Sequence, residues 1–165
     1  MTEDQQPSQG LQPPQLVPGQ APPPYPTWAP RPSGRKFWAL GFLAFIPWAG
    51  WIVAPIVLLV QQANVRRDPS PVVRENARWA ANWMLTATLA MIIGLGGLLA
   101  AAVFGQIAID AGGSFELMPL VVMSAVLMVL MQLAHAVISL IGTILAADRV
   151  FDPVAVIRFI PPVDG

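Results

Sequence analysis

The sequence predicts an all-α membrane domain, in which a broken or re-entrant first apolar block and two long transmembrane helices follow a disordered proline-rich tail. Three observations predict it. Of 165 residues, 55% are hydrophobic and 11% charged, whereas a soluble domain carries about a quarter charged residues. Residues 37–60, 79–109 and 117–147 contain no Asp, Glu, Lys or Arg, and the last two stretches exceed the roughly 20 apolar residues that cross a hydrocarbon core about 30 Å thick. All nine basic residues lie between or outside these stretches.

The tail comes first. Residues 1–36 hold ten prolines and six glutamines and have too few aliphatic side chains to offset the entropy of ordering themselves. Disorder with polyproline II character is expected. The first apolar run begins only at Phe37, so no cleaved signal peptide is read. The run Pro22-Pro23-Pro24-Tyr25-Pro26 resembles a ligand for proline-reading domains, but a spacer role fits the same composition. The membrane domain spans 37–160, and 161–165 form a short C-terminal end.

Lys and Arg near membrane segments stay on the cytoplasmic side. Arg31, Arg35 and Lys36 precede the first block, and Arg66, Arg67, Arg74 and Arg78 follow it; both flanks read as cytoplasmic. The 110–116 loop has Asp110 and Glu116 and no base, so it reads as external, whereas Arg149 and Arg158 place the C-terminus inside. A first block that crossed once would strand one basic flank. Pro47, Gly50 and Pro55 supply the means of breaking it near 47–50, giving half-helices of about 15 to 18 Å that enter the bilayer and turn back. Backbone groups freed at that depth must be covered by protein, so the block must pack on the other two helices. The rival is one kinked span with the tail outside.

The second helix starts at Ser70-Pro71, an N-cap followed by proline in the first helical position. From Pro71 to about Phe104 it is roughly 50 Å long, so its first turns lie in the interface. Trp79 and Trp83 mark that boundary. The third helix runs from near Pro119 to Ala147, and Gln132, His135, Ser139 and Thr143, spaced 3, 4 and 4, form one polar face. Asn82, Thr86, Ala90, Gly97 and Ala101 are the expected partner face on the second helix.

His135 is the only histidine. As an intramembrane ionisable group it is a functional candidate, but the three blocks hold no carboxylate to form a proton relay, and a neutral imidazole bonded within the bundle is the favoured reading. His135 and Ser139 have the spacing of a base and nucleophile, yet no acid orients the imidazole and no glycine-framed serine elbow is present. A hydrolase is disfavoured. A second candidate set, Arg74, Glu75, Arg78 and Asn82, forms a polar interface site; the blander reading is a Glu75 ion pair with Arg78 or Arg74. The 154–160 run, apolar apart from Arg158, is expected along the cytoplasmic interface. With no cysteine, no metal cluster and no phosphate-cradling motif, no cofactor or metal is expected. A net charge of zero gives no field for nucleic acid.

Pro55, Asp68, Ser70-Pro71, Val73-Arg74-Glu75, Ala81-Asn82-Trp83 and a closing Asp152-Pro153 with Ile157-Arg158-Phe159-Ile160 resemble a small bacterial membrane family distantly related to Tic-twenty, a chloroplast inner-envelope import component. The resemblance spans about 37–160 and is most specific over 68–83. It departs at Trp83, where relatives often carry Phe, and at Asp148-Arg149-Val150-Phe151, where they carry a Gly- and Tyr-containing stretch. It implies a compact helical domain, carries over no catalytic residue, and points to a place beside a translocation or insertion machine.

The combined reading is a non-enzymatic multi-pass protein of the cell membrane with both termini cytoplasmic. It acts through membrane lipids or membrane protein partners, as an accessory to protein translocation or envelope assembly. The alternative is a small channel or carrier that uses the polar face of the third block. The small-residue faces Ala90/Gly94 and Gly96/Ala100 serve either internal packing or homo-oligomerisation.

Overall fold

The computed structural model describes residues 32–47, 49–112 and 117–162. Residues 1–31 with the 22–26 proline run, Trp48, 113–116 and 163–165 fall outside these, and so do the expectations placed on them. The described chain forms α1 (Arg35–Leu40), a 3₁₀ segment (Gly41–Phe45), α2 (Gly50–Asn64), α3 (Pro71–Asp110) and α4 (Met118–Leu145).

The frame is the α3–α4 pair. At 40 and 28 residues these helices are about 60 and 42 Å long, and both are apolar enough to cross a membrane. At the start of α3, Ser70 Oγ accepts from Val73 N at 3.4 Å and Asp68 Oδ1 from Ser70 N at 2.8 Å, with Pro71 in the first position. These bonds satisfy donors that a helix start leaves open. The helix runs past Phe104 to Asp110, where Gln106 donates to Asp110 Oδ1 one turn on at 2.9 Å. Gly112, at φ 71°, then takes the left-handed conformation that ends many helices.

The first block breaks and folds back. Ile46 adopts an extended ψ of 121° directly before Pro47, as residues preceding proline are steered to do. Gly50 then packs so closely on the Leu43 and Ala44 backbone that a Cβ would overlap it. At its start the block is tied to the end of α4, where Gly34 N donates to Ala146 O at 2.8 Å. At its finish only residues 65–70 separate α2 from α3. Both ends therefore lie at the arginine-bearing end of the α3–α4 pair, the basic end.

The core sits there too. Phe37, Trp38, Leu58, Ala77, Trp79, Trp83 and Met84 are buried together. Trp38 lies against Gly142 of α4, where a Cβ would collide with the indole. Toward the far end α3 and α4 meet directly: Gly94 meets Met128, Gly97 meets Ser124 and Gly105 meets Leu117, a close approach that small residues permit.

Candidate functional site

Two polar clusters stand out. In the first, half-way along α4, His135 is fully buried and Ser139 is 1% exposed. His135 Nε2 lies 2.9 Å from Gly41 O. A carbonyl only accepts, so Nε2 carries a proton. Phe45, Trp51 and Trp83 enclose the imidazole, with ring centres 5.7, 5.2 and 6.3 Å away; Trp83 is stacked at 11°. Ser139 Oγ faces Gly41 so closely that a side chain there would displace it. The 3₁₀ segment thus closes over α4 because it offers a bare glycine and a free carbonyl.

The expected four-residue face divides in two. His135 and Ser139 are buried under the first block, while Gln132 and Thr143 are half-buried. Thr143 Oγ1 donates to Ser139 O one turn back at 2.7 Å. His135 Nδ1, Ser139 Oγ and Trp83 Nε1 have no partner among the described residues. Buried polar atoms without partners are costly and uncommon.

The second cluster lines α3 at the basic end. Glu75 and Arg78 form an ion pair, and the Arg78 side chain is 7% exposed. Arg78 also donates to Ile160 O at 3.4 Å. Asn82 brackets the same residue, its Oδ1 accepting from Ile160 N at 2.8 Å and its Nδ2 donating to Ile160 O at 3.2 Å. Arg74 stands apart and donates to Asp68 O at 2.6 Å, bracing the turn before α3. Arg78 and Asn82 therefore converge on the C-terminal segment, Glu75 joins only through Arg78, and Arg74 stands outside the cluster.

Sequence reasoning missed the residue that organises this end. Asn76, fully buried, accepts from Trp38 Nε1 at 3.1 Å and Phe151 N at 3.0 Å, and donates to Val72 O and Arg149 O, both at 2.9 Å. It ties α1, α3 and the chain after α4 together. Thr86, expected against α4, instead accepts from Ile157 N at 3.1 Å, and Asn82 likewise faces the C-terminal segment. The available signal was the spacing of Glu75, Arg78, Asn82 and Thr86, again 3, 4 and 4, which marks a second polar face.

The first block, the buried imidazole and the C-terminal segment all lie within residues 35–160, which match the family described as magnetosome magnetite crystal formation proteins. Neither a curated protein nor a solved structure gives a match. That match covers most of the chain and the whole helical fold, two membrane-length helices included, so the chain belongs to the magnetosome magnetite crystal formation protein family.

Proposed function

We propose that the protein is a non-enzymatic, multi-pass accessory of the membrane around a forming magnetite crystal, acting through lipid or protein partners with both termini in the cytosol. One observation supports this reading: the most polar part of α4, His135 and Ser139, is buried beneath the first block. The distribution of bases supports the orientation. We infer a translocation or envelope-assembly machine as the kind of protein partner, and copurification after mild detergent extraction tests it. Gly94 is occupied by Met128, but a Cβ on Gly96 would meet nothing within 4 Å, which leaves the Gly96/Ala100 face for a second copy.

A channel or carrier is the second reading, favoured by the three unpartnered polar atoms beside Gly41 and the aromatic cage. Single cysteines separate the two in this cysteine-free chain. With Gln132→Cys, His135→Cys, Ser139→Cys or Thr143→Cys in sealed vesicles, an aqueous maleimide should leave all four unlabelled over minutes. Labelling of Ser139→Cys, the smallest change of the four, at the rate of an exposed loop position would establish a hydrated path.

A further inference from the structure

The C-terminal segment carries a charge that has no counter-ion among the described residues. After Phe151 the chain returns along α3, held by Thr86 and Asn82 through Ile157 and Ile160. Arg158 stands between these anchors and is exposed, its guanidinium 5.4 Å from the centre of the Trp79 ring. Arg78 approaches the same ring at 4.6 Å. Glu75 neutralises Arg78, and theirs is the one ion pair among the described residues.

Position decides what can neutralise the other guanidinium. Trp79 opens the charge-free run of α3, so Arg158 stands where water gives way to hydrocarbon. Its neighbours Ile157 and Phe159 are 50% and 45% exposed, apolar side chains that cover no core. An arginine held in that layer between apolar neighbours faces one abundant anion, the lipid phosphate, which its planar fork matches in two-point geometry.

We propose that Arg158, stacked on Trp79 beside the Glu75–Arg78 pair, binds the headgroup of a phospholipid of net charge −1, whose acyl chains lie against Ile157 and Phe159. Two guanidiniums and one carboxylate leave the site at +1. A monoanionic lipid cancels that charge, and a zwitterionic one leaves it. The inference deepens the lipid half of the proposed function and rests on the membrane setting of that reading, but not on whether the His135 cluster is dry.

The test uses the full chain in detergent, titrated with phosphatidylglycerol, phosphatidylcholine or inorganic phosphate, with bound lipid counted by native mass spectrometry. Phosphatidylglycerol should be retained in preference to phosphatidylcholine, and inorganic phosphate should not compete at millimolar concentration. Arg158→Gln should weaken phosphatidylglycerol binding about fivefold, Arg158→Lys should weaken it less, and Arg149→Gln, at an exposed base whose guanidinium is not over the Trp79 ring, should leave it unchanged. Equal losses for Arg158→Gln and Arg149→Gln would reduce the effect to diffuse surface charge and overturn the site. So would equal retention of the two lipids, or displacement by phosphate. A negative result here with unlabelled Ser139→Cys would remove the lipid site alone, whereas labelled Ser139→Cys with intact lipid selectivity would remove the sealed-cluster reading alone.

Discussion

The two halves of the α3–α4 pair are built on different physical terms. At the basic end, α1, the 3₁₀ segment, α2 and the C-terminal segment wrap the helices, and buried Asn76, Asn82 and His135 bond to backbone groups of these wrapping segments. At the far end nothing described wraps the pair. Leu95, Leu99, Val103, Phe104 and Ile107 are 50 to 59% exposed, and association rests on the approach of Gly94, Gly97 and Gly105 to α4. Polar side chains are used where irregular backbone must be satisfied away from water, and small apolar ones where regular helices only need to meet lipid and each other.

Mutations can break this contrast, and their expected costs fall in a definite order. Asn76→Leu should be the most damaging. It removes four hydrogen bonds and leaves the Trp38 indole N–H and the Phe151 amide unpaired, on the order of 4 kcal/mol, read as a large drop in thermal midpoint in detergent. Gly142→Leu should follow at about 3 kcal/mol, because the new side chain occupies the space of Trp38; loss of near-ultraviolet tryptophan ellipticity should accompany it. Asn82→Ala should cost about 2 kcal/mol and show as faster proteolysis of 152–160 with unchanged helix content. At the far end, Gly97→Ala presses on Ser124, a side chain able to rotate, and should cost about 1 kcal/mol. Leu99→Ala, on a lipid-facing surface, should stay within about 0.5 kcal/mol. A far-end variant as costly as Asn76→Leu would erase the distinction.

Much of this architecture is legible in the sequence because it follows from patterns along one chain segment. Ser70-Pro71 announces the start of α3, Pro47 and Gly50 mark the break, and the two charge-free runs give the long helices. The pairing of basic flanks, which argues for a folded-back block, agrees with Gly34 bonding Ala146. Asn76 could not be found this way. Its side-chain partner Trp38 lies 38 positions away and its backbone partners at 149 and 151 lie 73 and 75 away, and any residue type presents the same carbonyl or amide. For the same reason the spacing of Asn82 and Thr86 points to α4 whereas both bond the C-terminal segment, since a polar stripe shows that a face is partnered without showing by what. The His135 face was visible as a spacing, but the glycine that admits it, Gly41, is informative only once the 3₁₀ segment is seen to lie across α4.

If the first block enters and leaves on one side, its two flanks share a compartment. Single cysteines introduced as Lys36→Cys, Arg67→Cys and Ala111→Cys in sealed vesicles, probed with an impermeant maleimide before and after permeabilisation, report which positions share a compartment. Positions 36 and 67 should react alike and position 111 oppositely, whichever way the vesicles face. If 36 and 67 fell on opposite sides, the block would cross once, and the folded-back cover over His135 would be lost.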